Sequence, residues 1–184
     1  CPMEYIYRIT ATAICGNSVY SSNSNESAAT PTSNIASQMV DVTRATVVED
    51  EYVLIEWAAP AILPDMVDRY DIYRSTDQVN YQLVASVPNL VLDYSDLNVE
   101  VDDQEYYYKI FVQNICNVTT TEGVPGSSIL LQKIEYGTGY MLKWTQYVQW
   151  DSGVEYFVIE RLNKLGNWEE VDRVPGNITE WEEK

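Results

Sequence analysis

The segment Glu105–Cys116, EYYYKIFVQNIC, decides the fold. Its residues are aromatic and β-branched, and one face can be followed at every second position through Tyr106, Tyr108, Ile110 and Val112. That is the period of a strand packed on one side. A close copy, EYIYRITATAIC, lies at Glu4–Cys15, at a spacing of 101 residues (Cys15 to Cys116). At that spacing Glu4, Tyr5, Tyr7, Ile9, Ile14 and Cys15 recur unchanged, and Arg8 becomes Lys109. So ordered a recurrence predicts a chain built from repeats of roughly one hundred residues, the size of a small β-sandwich.

A second recurrence covers the other half of the unit, at a spacing of 87 residues (Trp57 to Trp144). Ile72 then falls on Ile159, Arg74 on Arg161, Tyr81 on Trp168, Val87–Pro88 on Val174–Pro175, Tyr94 on Trp181, and Asp96 on Glu183. The difference between 101 and 87 implies a longer junction after the first repeat than after the second. Three units are therefore expected. Residues 1–33 supply the last strands of a first repeat plus a linker, 34–130 form a complete domain, and 131–184 form the opening part of a third. On this reading the chain is a piece of a longer array.

The 184 residues carry 28 acidic and 11 basic side chains, a net charge of −17. Such a surface repels phosphate backbones and anionic lipid, so neither nucleic-acid binding nor membrane-surface binding is expected. No stretch approaches the roughly 20 apolar residues of a membrane span. The 15 Tyr and 5 Trp, against 2 Phe, suit cores whose rings carry a polar tip to the rim. Cys15 and Cys116 hold the same place in successive repeats, and Cys1 and Cys15 lie at opposite ends of one strand, too far apart to bridge. No disulfide is expected. Without histidine or a CxxC pair, zinc is not expected either.

In chain order, residues 1–14 read as a strand with Tyr5, Tyr7, Ile9, Ala11 and Ala13 inward, followed by a turn at Gly16–Asn17. Residues 18–33, rich in Ser, Asn, Ala and Thr, read as an edge strand dissolving into a linker. Val53–Trp57 should bury Val53, Ile55 and Trp57, and Val67–Arg74 should bury Tyr70 and Ile72. Further strands are expected at 81–87, 90–94, 127–134, 140–144, 154–161, 168–174 and 178–181. No segment shows helical periodicity with caps, so the fold class is all-β, a tandem of sandwiches.

The pattern W-x-x-P at Trp57–Pro60, Y-x-I-Y-R at Tyr70–Arg74 and Y-x-x-x-I-x-V-x-N at Tyr106–Asn114 resembles the fibronectin type III family. The resemblance implies that Trp57 packs in the core. It also implies that Tyr106 ties its strand back to the preceding loop, with Tyr5 as its counterpart. A narrower likeness lies in the third unit, where Ile129–Leu131, Leu142–Trp150 (L-x-W-x-x-Y-x-x-W) and Phe157–Arg161 follow in order. These resemble repeats of large surface proteins exported by the type IX secretion system of gliding Bacteroidetes. The ICGN at Ile14–Asn17 fits as well, whereas Ile115–Val118 has Asn for Gly, and Ala61–Met66 departs from Gln146–Trp150.

Catalytic machinery is not visible. Without histidine a Ser–His–Asp or Cys–His arrangement is impossible, and G-x-S-x-G, HExxH and phosphate-cradling loops are absent from the sequence. The neighbouring carboxylates Asp102–Asp103, Glu169–Glu170 and Glu182–Glu183 would point to opposite faces of a strand and form no acid–base couple. No catalytic, cofactor or metal residue is assigned. Calcium is the one cation the pattern suggests, because Asp93, Asp96, Glu100, Asp102 and Asp103 cluster before the core strand and hard cations want several oxygen ligands. The spacing matches no EF-hand loop. Trp150, Tyr147 and Trp168 are candidates for a carbohydrate platform, set against core packing at the recurring pairs Tyr81/Trp168 and Tyr94/Trp181. Sequons at Asn25, Asn117 and Asn177 matter only in a eukaryotic secretory pathway.

The leading expectation is a non-enzymatic spacer or adhesive stalk of an extracellular or cell-surface protein, associated with the outer membrane. Its partners would be neighbouring repeats, other surface proteins or glycans. The rival is an accessory carbohydrate- or protein-binding module of a secreted enzyme. A third reading is a receptor ectodomain that docks a protein through its loops.

Overall fold

The computed structural model describes residues 4–30, 39–61, 64–116, 118–120, 122–137, 139–150 and 152–183. The chain divides into two units, Cys1–Ile35 and Ala36–Lys184.

Among its described residues the first unit holds four strands, β1 (Tyr5–Tyr7), β2 (Thr10–Cys15), β3 (Ser18–Asn23) and β4 (Ser27–Ala29). They form two ribbons, β1 with β4 and β2 with β3. The single strand expected over 1–14 is broken at Arg8–Ile9, where Ile9 N–H donates to Ser24 Oγ at 3.0 Å. The expected inward face is also corrected: Tyr5, Tyr7 and Ile9 are 47%, 54% and 72% exposed. Their spacing is that of a buried face, but among the described residues of this unit nothing lies over it.

The middle sandwich runs from β5 to β11. One sheet orders β5 (Val42–Val48), β6 (Tyr52–Trp57) and β9 (Asp93–Asp96). The other orders β11 (Gly126–Ser127), β10 (Tyr107–Asn114), β7 (Val67–Ser75) and β8 (Gln82–Pro88). All pairings are antiparallel. The alternation read from the sequence produces the core: Val53, Ile55 and Trp57 from one sheet meet Tyr70, Ile72, Tyr108, Ile110 and Val112 from the other. Trp57 stands edge-on to Tyr70 at 5.5 Å and 67°, a geometry aromatic pairs favour. The only helical element among the described residues is one 3-10 turn, Pro64–Met66.

The second unit continues into β12 (Leu131–Tyr136), β13 (Gly139–Trp144), β14 (Tyr156–Leu162), β15 (Trp168–Pro175) and β16 (Glu180–Glu182). These pair as β12-β13-β16 and β14-β15, repeating β5-β6-β9 and β7-β8 of the middle sandwich. The repetition holds register. Tyr70 faces Val87 as Phe157 faces Val174, and the ladder slips after Ile72 as it does after Ile159. Trp144 meets Phe157 at 5.5 Å and 67°, the same geometry as Trp57 and Tyr70.

Three strands facing four, with this order and these connections, make a fibronectin type III-like sandwich. The chain is all-β, a tandem of such sandwiches with one complete and two partial.

Candidate functional site

Two places concentrate polar chemistry: the loop before β10, and the joint between the middle and third sandwiches.

At the first, Asp96 ends β9 and is 1% exposed. Its carboxylate accepts from Arg74 Nη1 at 2.8 Å, from the Tyr108 hydroxyl at 3.2 Å and from the Asn98 N–H at 3.2 Å. Arg74 also donates to the Asn98 carbonyl at 2.7 Å and lies 5.3 Å from the Tyr106 ring centre. The Tyr106 hydroxyl accepts the Glu100 N–H at 2.8 Å, the tie-back implied by the family resemblance. Burial first, and then the neighbouring Asp96, push the Tyr108 hydroxyl well above the ordinary tyrosine range. This is a buried, hydrogen-bonded structural network. Of the five acidic residues weighed for calcium, only Asp96 is buried; Asp93, Glu100, Asp102 and Asp103 are exposed. Among the described residues no three His, Cys, Asp or Glu side chains converge as a metal site.

The joint is built from the loop after β13. Between β11 and β12 the chain passes through three residues, 128–130. The loop turns back across them. Thr145 N–H donates to the Leu130 carbonyl and Leu130 N–H to Thr145 Oγ1, both at 3.0 Å. Ser127 N–H donates to the Val148 carbonyl and Val148 N–H to Ser127 Oγ, again at 3.0 Å each. Tyr147 reaches furthest, its hydroxyl accepting the Ala45 N–H of β5 at 3.0 Å. Burial pushes the pKa of that hydroxyl above the ordinary tyrosine value, which favours its neutral form. Trp150 packs on Tyr147 at 4.7 Å. Gly126 of β11 lies so close to the Val42 side chain of β5 that a Cβ there would meet Cγ1 at 2.5 Å.

The residues weighed for sugar stacking are therefore not one platform. Tyr147 is half-buried in the joint, and Trp150 is 50% exposed beside it. Trp168 is 67% exposed in β15. Core packing was expected at the Tyr81/Trp168 pair, and this too is corrected. Lys109 of β10 covers Tyr81 at 4.3 Å, whereas Trp168 has no such neighbour among the described residues. Trp181 is partly buried and donates Nε1–H to Asp172 at 2.8 Å. Asn25 and Asn177 are exposed, and Asn117 lies outside the described residues.

Cys116 is disulfide-bonded, which corrects the expectation of none. The distance argument covered only pairs that contain Cys15, which is free and exposed. The sequence pointed to the buried ion pair only as a recurrence of Arg74 and Asp96, and to the Tyr147 contact not at all. The signal was that the third repeat has Gln146–Trp150 where the middle repeat has the loop Ala61–Met66.

No family model matches the chain, and no curated protein matches it. Among solved structures, an Fn3-like protein from Clostridium thermocellum is 20% identical over 50% of this chain and 90% of its own, with a TM-score of 0.40. A two-domain fibronectin type III segment from chicken tenascin is 15% identical over 78% of this chain and 79% of its own, with a TM-score of 0.37. A beta-1,2-glucanase from Parabacteroides distasonis is 23% identical over 50% of this chain, with a TM-score of 0.40, and the chain spans only 12% of that protein. Among the described residues no helix is long and apolar enough to cross a membrane.

Proposed function

We propose that the chain is a non-enzymatic repeat segment of a large secreted or cell-surface protein, acting as a spacer or adhesive stalk. The observation that carries this reading is the joint. Five hydrogen bonds run through residues 127–130, 145–148 and Ala45, so the third sandwich is held by more than its covalent link. Each sandwich folds around its own strands while the joint restricts bending, which is what a stalk requires to keep its reach. The likeness of residues 129–161 to repeats of type IX-exported proteins supports a finer assignment, to an adhesion or gliding-motility protein at the outer surface of a Bacteroidetes cell. Partners on this reading are neighbouring repeats, other surface proteins or glycans. A disulfide at Cys116 fits an oxidising, extracytoplasmic location.

The test is the mutual order of the two sandwiches in solution. Residual dipolar couplings from β6, β7 and β10 and from β13 and β14 should fit one alignment tensor in the native chain. They should require two in Tyr147→Ala. Independent tensors in the native chain would refute the stalk. The second reading, a carbohydrate-binding accessory module, is favoured by the exposed faces of Trp150 and Trp168. Retention on a glycan array, lost in Trp150→Ala, would select it.

A further inference from the structure

We propose that the uncharged edge of β8 pairs antiparallel with the β8 of a second copy of this chain, making a two-fold dimer through the middle sandwich. Among the described residues β8 ends one sheet of that sandwich and β9 ends the other. Arg74, paired with Gln82 of β8, reaches Asp96 of β9 at 2.8 Å, so the two edges lie on one side. An exposed edge strand offers a row of unpaired N–H and C=O groups, and folded chains blunt it with charge, proline or a bulge. β15 holds the same place in the third sandwich, and the two edges share a ladder slip and a terminal proline. They differ in charge. β15 carries Glu169, Glu170, Asp172 and Arg173 where β8 has Gln82, Leu83, Ala85 and Ser86. The contrast continues past the strand: Leu90 and Leu92, 90% and 37% exposed, stand where the third repeat has Asn177 and Thr179. Leu83 is itself 54% exposed. Of two equivalent edges in a chain of net charge −17, one is free of charge and flanked by leucine, the mark of a contact surface.

Charge also identifies what that edge takes. A strand added to a sheet edge sets its side chains directly opposite those already there, and like charges so placed are unfavourable. Two copies of so acidic a chain repel each other, but β8 against β8 sets no charge opposite another. The register follows from the faces. Ala85 and Val87 pack on the core, opposite Ile72 and Tyr70, while Ser86 between them donates to Asp71 at 2.6 Å on the outer face. Directly opposed residues share a face, so a two-fold pairing centred on Ser86 sets Ser86 against Ser86 and Ala85 against Val87. Leu83 and Leu90 flank that centre at nearly equal spacing. The Leu90 of one copy therefore comes beside the Leu83 of the other, and both lose exposure to water. Each copy uses the same surface, so the contact closes at the dimer and extends no further.

Sedimentation velocity of the 184-residue chain over a concentration series tests this, with Cys15→Ser in every sample because Cys15 is free and exposed. The expected result is a mass that rises with concentration and levels at the dimer. Added salt should tighten the dimer, since it screens the repulsion between two acidic copies. Leu83→Glu and Ser86→Arg each install the residue that the third repeat carries. Both positions are exposed, so the fold is retained, as circular dichroism would show. Each should raise the concentration for half-association by roughly tenfold or more. Ser86→Glu should do the same alone, and an equimolar mixture of Ser86→Arg and Ser86→Glu should associate again, because the two-fold sets the opposite charges face to face. A monomer at every concentration up to about 1 mM, growth past the dimer, weakening by salt, unchanged association of Leu83→Glu, or no recovery in the mixture would each overturn the proposal.

Discussion

Arg74→Ala and Arg161→Ala remove the same ion pair from two copies of one fold, and the two losses should differ several-fold. Both pairs are 2.8 Å long, Arg74 to Asp96 and Arg161 to Glu183. In the middle sandwich the acidic side chain is 1% exposed; in the third it is 40% exposed, with its arginine 56% exposed. Removing Arg74 leaves a buried carboxylate with only the Tyr108 hydroxyl and the Asn98 N–H. Breaking a buried pair typically costs 3–5 kcal/mol, and the two remaining donors place this case near the lower end, about 3 kcal/mol. Removing Arg161 exposes Glu183 to water it already meets, at a cost of about 0.5 kcal/mol, which should vanish in about 1 M salt. Native-state hydrogen exchange reads each sandwich separately, at the amides of Ile55 in β6 and Leu142 in β13, which hold equivalent ladder positions. Equal losses at the two reporters, or a loss below about 1 kcal/mol for Arg74→Ala, would show that burial by β10 is not what gives this pair its energy.

Three further outcomes follow from the same geometry. Gly126→Ala should destabilise the second unit by about 1–3 kcal/mol through overpacking, since its Cβ would sit 2.5 Å from Val42 Cγ1; thermal melting checks it, and a neutral result would mean that β5 and β11 separate freely. Tyr147→Phe removes the acceptor for Ala45 N–H and should cost about 1 kcal/mol while speeding exchange at the Ala45 amide relative to Ile55. Alkaline pH should weaken the middle sandwich. Burial pushes Tyr107 up to about 12, helped by Glu105, and raises Tyr70 and Tyr108 as well. Because the folded values lie above the unfolded one near 10, this stability is complete below about pH 10 and is lost as pH rises through the folded values. Urea midpoints measured between about pH 9 and 12 should fall, and should fall less in Tyr108→Phe.

What the sequence made legible was the unit and its internal order. The spacing of 87 residues carries over into ladder register, into the slip after Ile72 and Ile159, and into the shared geometry of Trp57–Tyr70 and Trp144–Phe157. Local alternation and β-branched residues dictate these features, so a reading of single segments reaches them. Burial was not legible in the same way. Ile9 and Ile110 hold matching places in the repeat, yet one is 72% and the other 1% exposed, because the cover over Ile110 comes from strands distant in sequence. Trp168 differs from its counterpart Tyr81 for the same reason, since the lysine that covers Tyr81 belongs to β10. The joint was hidden for the opposite reason: Tyr147 matters through Ala45, 102 residues away, and no periodicity connects the two. A repeat therefore specifies which face it would bury, while the energy of that face depends on whether the covering strand is present. The same side chains form a core in one copy and an apolar face in the next, and this difference is what Arg74→Ala and Arg161→Ala measure.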